Sequence, residues 1–138
     1  MSKAKVRAVA VCFHGDDVLV IKRLKRQRRF AVLPGGGVKA GESSADAALR
    51  ELREETGLLG VLTHHLWTLT HGERTADYFA VDVTLAPLSL SGPELLRQSP
   101  ENTYQPAWIP ASTLDLENLR PESVRPLLQD RLVLARAS

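Results

Sequence analysis

The chain has 138 residues, of which 43% are hydrophobic and 25% charged, with a formal net charge of +2 and a single cysteine. That balance fits one globular domain with a real core. It excludes an internal disulfide, and by itself gives no ground for a charge-driven nucleic-acid or membrane partner. No apolar run approaches the roughly 18 residues of a spanning helix. The expectation is a single domain over residues 1–138 in a reducing, cytoplasmic setting, with no membrane partner.

Val6 to Phe13 is apolar and rich in strand formers, and Val18 to Ile21 resumes the pattern after the turn residues Gly15-Asp16-Asp17. The pair reads as a hairpin. Cys12 lies inside the apolar run and reads as a buried structural thiol. Lys22 to Arg29 holds six basic residues in eight positions, Arg23 and Arg29 among them. It reads either as a solvated loop or as an electropositive rim for a polyanionic substrate. Ala31-Val32-Leu33 then leads into Pro34-Gly35-Gly36-Gly37, where consecutive glycines leave room for close backbone approach to a ligand.

A helix is expected over residues 44–56. Ser43 and Asp46 form a capping-box-like start, and Gly57 is a cheap left-handed C-cap. Ala45, Ala48, Leu49 and Leu52 recur at i, i+3, i+4 and i+7 as an apolar stripe. Glu51, Glu54 and Glu55 are side by side, a spacing that costs an isolated helix a few tenths of a kcal/mol per like-charged pair. A solvated acidic face is one reading. The strand and glycine stretch just before the helix favour the other, a metal–phosphate site, since hard divalent ions take carboxylate and phosphate oxygens.

Val61 to Thr70 and Thr75 to Leu85 read as two strands joined by His71-Gly72-Glu73-Arg74. Tyr78 and Phe79 project from opposite faces. Tyr78 is a candidate for stacking on a base, with core packing as the competing role. His64, His65 and His71 lack the spacing of a transition-metal site. Ala86 to Gln105 is broken by Pro87, Gly92, Pro93 and Pro100, with a helical turn expected at Glu94 to Gln98. Ala107 to Pro110 reads as a short strand. Pro121 suits a first helical position, with Leu127, Leu128, Leu132 and Val133 as the apolar side and Pro126 as an interruption.

The motif Gly36, five residues, Glu42, seven residues, Arg50-Glu51-Leu52-Arg53-Glu54-Glu55-Thr56-Gly57-Leu58 resembles the Nudix box at every fixed position. The strand pattern and Trp108-Ile109-Pro110 extend a weaker resemblance over most of the chain. The resemblance implies an α/β (α+β) fold, the Nudix α/β/α sandwich with a mixed sheet between helices. It also implies Mg²⁺- or Mn²⁺-dependent hydrolysis of a pyrophosphate bond in a nucleoside diphosphate linked to another moiety.

Carried over position by position, the resemblance makes Glu51, Glu54 and Glu55 metal ligands, with a backbone carbonyl of Gly35 or Gly36. Arg50 orients Glu51, and Glu42 anchors the loop. Gly36 and Gly57 complete the structural set. The general base is open among Glu54, Glu51 and Glu101. Glu101, seven residues before Trp108, is the first candidate for an additional loop carboxylate, and Glu94 is the fallback. Arg23 occupies the place of a phosphate-contacting arginine. Subgroup markers for ADP-ribose, dinucleoside polyphosphate, coenzyme A and NADH are not matched. The expected substrate is therefore a nucleoside triphosphate, as for MutT, with a nucleotide sugar or ADP-ribose as the alternative. A non-catalytic nucleotide-binding module is the rival of another class. A third reading has the basic stretch binding RNA for 5′-end hydrolysis, although a nucleic-acid partner is not the expectation. A homodimer is compatible with the family.

Overall fold

The computed structural model describes residues 5–137. Its strands are β1 (Lys5–Val11), β2 (Phe13–His14), β3 (Asp17–Lys25), β4 (Arg28–Val32), β5 (Gly35–Gly37), β6 (Gly60–His71), β7 (Arg74–Val83) and β8 (Asn102–Pro110). Its helices are α1 (Ser44–Thr56), α2 (Pro93–Arg97) and α3 (Val124–Ala137), with a 3-10 turn at Ala111–Thr113.

One sheet runs β5-β1-β7-β6, with β1 parallel to β7 and the other pairs antiparallel. It is the mixed sheet expected from the sequence. The period-2 alternation of β1 explains its place between helices. Ala8, Ala10 and Cys12 pack with Ala47, Ala48 and Leu52 of α1. Val9 and Val11 belong to the other cluster, with Val124, Leu128 and Leu132 of α3. Small residues on the α1 face let that helix lie close to the strand. The second sheet is antiparallel, with β3 paired to β8 on one edge and to β2 and β4 on the other.

The expected helix forms at Ser44–Thr56, for the expected reasons. Ser43 Oγ accepts from the Asp46 N–H at 3.0 Å, and Gly57 closes the end at φ 78° with its N–H on the Arg53 carbonyl. Such an N-cap is worth about 1 kcal/mol. The buried face is displaced from the simple apolar stripe. Ala47, Ala48, Leu52 and Thr56 are buried together with Glu51 and Glu55.

Other elements differ from their expectation. β1 does not pair with β3; only the two residues of β2 do, and β1 crosses to the mixed sheet. The basic stretch is not a loop. β3 runs to Lys25, β4 starts at Arg28, and Arg26 and Gln27 make the two-residue turn at φ 51° and 66°. Both central residues have the positive φ of a type I′ turn, which favours Asn-Gly. Non-glycine residues there cost roughly 1–2 kcal/mol each, so no turn signal stood in the sequence. Gly35–Gly37 is an edge strand on β1 rather than a free loop. β8 is a nine-residue strand that accepts Pro106 because its only strand partner is β3. α3 starts at Val124, after Pro121, and holds Pro126 within its first turn, where a missing N–H costs no helical bond. Val133 faces solvent, and Val124, Leu128 and Leu132 carry the packing.

Candidate active site

The site is built on contact between α1 and β5. A Cβ on Gly36 would lie 2.5 Å from the Glu51 carboxyl carbon, and one on Gly35 would lie 2.6 Å from the Ala8 carbonyl oxygen. Both distances are shorter than side chains tolerate. The glycines therefore serve to bring strand backbone onto a carboxylate and onto β1. The Gly35 N–H donates to Glu55 Oε2 at 3.2 Å.

Arg50 is the hub of the polar network. Its Nε and Nη2 donate to the two Glu42 carboxylate oxygens at 2.8 and 3.0 Å. Nη1 donates to Glu51 Oε1 at 2.7 Å and reaches Glu54 Oε2 at 3.4 Å, and Nη2 donates to the Gly37 carbonyl. The planar fork suits this bidentate role. The Arg50 hydrogen bond, with the Lys39 N–H, lowers the Glu42 carboxyl to about 2.

Glu51 and Glu55 are only 7% and 5% exposed. Burial, and next the Glu51 charge, push the Glu55 carboxyl well above the usual carboxylate range. Glu94 of α2 joins them: ligand atoms of Glu51, Glu55 and Glu94 all lie within 4.8 Å of one another. Glu51 Oε2 and Glu94 Oε2 are buried without a hydrogen-bond partner. Orphaned carboxylate oxygens in a buried acidic cluster are costly unless a cation meets them. An all-oxygen donor set fits a hard ion such as Mg²⁺ or Mn²⁺.

Glu94 arrives by a contact remote in sequence. The N–H groups of Ser89 and Ser91 donate to the carbonyls of Thr56 and Glu54, the orphan acceptors at the end of α1. Gly92 follows at φ 75°, packed on the Glu54 side chain, and α2 begins.

The cluster lines a cavity of about 350 Å³ shared with Glu54, Lys39, Arg7, Arg97, Arg23 and Tyr104. Arg23 is fixed by hydrogen bonds to the Thr103 carbonyl and to Asn102 Oδ1, and its guanidinium lies 3.7 Å from the Tyr104 ring centre. Beside this cavity is an apolar one of about 550 Å³, which shares Arg7 and Val32 with it and is walled by Val9, Leu69, Ala76 and Tyr78.

The candidate residues from the sequence separate accordingly. Glu51, Glu54, Glu55, Gly36, Arg50 and Arg23 come together at the acidic cavity. Gly57 stands at the far end of α1, where a Cβ would meet Ser89 Oγ at 2.5 Å. Glu101 does not join the cluster. It is exposed on the turn before β8, where its carbonyl accepts from the Arg26 N–H. Arg29 lines neither cavity; it is exposed, and its carbonyl accepts from Asn118 Nδ2. Tyr78 is 4% exposed, packs near Trp67 and forms wall of the apolar cavity, away from the carboxylates. Arg97, Tyr104 and Lys39 carried no signal in sequence, and Arg7 was recoverable only from its strand alternation with Val9.

A mixed sheet between helices, edged by a glycine strand and an acidic helix, defines a class of fold and site. The model of the NUDIX domain matches residues 4–130. The chain belongs to the Nudix family. An RNA pyrophosphohydrolase of Pelagibacter ubique (strain HTCC1062) is 42% identical over 53 residues, covering 38% of this chain and 34% of the relative. The matches span about a third to a half of the length of the curated relatives. Among solved structures, the MutT described for Aliivibrio salmonicida and Vibrio cholerae superposes at a TM-score of 0.69, with 21% identity, over 94% of this chain and 98% of that one. An ADP-ribose pyrophosphatase from Streptococcus suis superposes at 0.72, with 18% identity, over 97% and 93%. These structural likenesses speak for the fold. Among the described residues, no helix is long and apolar enough to cross a membrane.

Proposed function

We propose that this chain is a divalent-metal-dependent pyrophosphohydrolase acting on a nucleoside triphosphate. The observation that carries the reading is the group of buried Glu51 and Glu55 with half-buried Glu94, holding two buried, unpartnered carboxylate oxygens and set in one cavity with Arg23, Lys39 and Arg97. Carboxylates for a cation and guanidinium groups for phosphate oxygens, side by side, suit a polyphosphate. The adjoining apolar cavity suits the nucleoside.

Glu51, Glu55 and Glu94 would hold Mg²⁺ or Mn²⁺, which neutralises phosphate charge and makes bound water a better nucleophile. The chain's own groups do the rest. Arg23, pre-stacked on Tyr104 and held by Asn102, takes phosphate oxygens with little ordering cost. Arg50 keeps Glu51 aimed at the cluster. Glu54 lines the cavity outside the three-carboxylate group and is tethered only by the long Arg50 contact. It takes the proton of the attacking water as general base. The water oxygen bonds to phosphorus, the bridging P–O bond breaks, and the products are a nucleoside monophosphate and pyrophosphate.

A screen of nucleoside triphosphates, nucleotide sugars and ADP-ribose with Mg²⁺ or Mn²⁺, with the products identified, tests this reading. A triphosphate yielding monophosphate and pyrophosphate is the expected result. Binding of nucleotides without turnover of any of them would replace the enzyme with a binding module.

A further inference from the structure

A third cavity, of about 450 Å³, opens at the tip of the β3–β4 hairpin and is lined by Lys25, Arg26, Arg28, Phe30 and Arg120. Four cations share it, and no acidic side chain is among its lining residues. Like charges gathered in one lining repel, so the arrangement suits an anion.

The fold works to keep these charges together. Arg26 and Gln27 hold left-handed backbone in the tightest hairpin turn, where Asn-Gly would sit without strain. The Arg26 N–H is tied to the Glu101 carbonyl. Arg120 comes from far along the chain. Its N–H donates to the Ala31 carbonyl at 2.9 Å, and the Ala31 N–H donates to the Asn118 carbonyl, so residues 118–120 run beside β4. The Arg120 guanidinium then stacks 4.7 Å from the Phe30 ring centre. A stacked guanidinium keeps its N–H groups free for an oxyanion.

Arg120 also lines the apolar cavity, which in turn shares Arg7 and Val32 with the acidic one. The apolar cavity thus shares lining with each of the other two, and the acidic and basic ones have no lining residue in common. We propose that the basic cavity is a second phosphate site, taking a phosphate group on the other side of a nucleoside whose polyphosphate lies at the carboxylates. It rests on the proposed function for the first site and, where the phosphate is the substrate's own, narrows its substrate class to nucleotides phosphorylated at both ends. The phosphate is either the substrate's own 3′-phosphate or a separate phosphate ion.

The experiment compares a nucleoside 5′-triphosphate with its 3′-phosphorylated form, using the full chain with Mg²⁺. The expected KM is about tenfold lower for the 3′-phosphorylated substrate, the scale of one charge-assisted contact. In Lys25→Gln/Arg28→Gln, both positions being exposed, that ratio falls to about one. It persists in Arg53→Gln, a charge loss elsewhere. In a second arm, inorganic phosphate is titrated against the plain triphosphate. A phosphate-dependent change in KM, absent from the double variant, identifies a separate ion as the ligand. If no nucleotide is turned over, calorimetric binding of a nucleoside 3′,5′-bisphosphate against the 5′-monophosphate reads the site directly. Equal behaviour of both substrates in the wild type with no phosphate effect, or equal binding of both ligands with no calorimetric binding of inorganic phosphate, overturns the proposal.

Discussion

The acidic and apolar cavities abut at Arg7 and Val32 but are built in opposite ways. The acidic one is charged, and its centre is held by bonds local in sequence: Arg50 ties Glu42, Glu51 and Gly37 within one loop and helix, while Glu94 and Arg23 join from or through remote segments. The apolar one is assembled from strands and segments far apart in sequence, from Arg7 to Glu122. On the proposed function the first would set the chemistry, because cation and phosphate need fixed oxygens and guanidinium groups. On the same proposal the second would set the substrate, because shape and apolar area discriminate among bases. Breaking the first should cost turnover, and changing the second should cost binding.

The largest effect is expected at the carboxylates. Glu54→Gln and Glu55→Gln should each lower kcat by about two orders of magnitude or more under saturating Mg²⁺. Single-turnover rates check this. Near-normal turnover in both variants would remove the assignment.

Gly36→Ala comes next. Its Cβ would stand 2.5 Å from the Glu51 carboxyl carbon, so Glu51 or β5 must move. Misplacing a positioned group by even about 1 Å can cost on the order of 100-fold. A kcat loss of at least about tenfold, with a thermal midpoint near that of the wild type, separates this from unfolding.

Ala76→Phe sharpens the other half. It fills part of the apolar cavity from a half-buried strand position. The expected outcome is a KM raised about tenfold for the nucleotide, with kcat within about twofold, as removal of uniform binding requires. A fall in kcat with KM unchanged would show that the nucleoside sits elsewhere.

The same division decides what could be read from sequence. Ser43, Gly57 and the spacing of Glu51, Glu54 and Glu55 are local, and α1 formed where they placed it. Glu51 and Glu55 are buried, however, and the glycine run is a strand; both follow from β5 packing on α1, which no local pattern reports. The loop carboxylate was ambiguous for the same reason. Distance to Trp108 favoured Glu101, but Ser89 and Ser91 capping the end of α1 deliver Glu94. The basic stretch gave its charge in sequence and not its shape, because Arg26-Gln27 is a poor type I′ turn that tertiary contacts enforce. Tyr78 and Arg29 were separated from the acidic site only by strand alternation within sheets whose order was not legible.

The central claim is that the metal-holding carboxylates are completed by Glu94 from α2. Mn²⁺ binding to the full chain, followed by calorimetry in the wild type, Glu94→Gln and Glu101→Gln, tests it most directly. Affinity should fall about tenfold or more in Glu94→Gln, which loses one charged ligand, and stay within about twofold in Glu101→Gln. Unchanged binding in Glu94→Gln, with a loss in Glu101→Gln, would contradict the account.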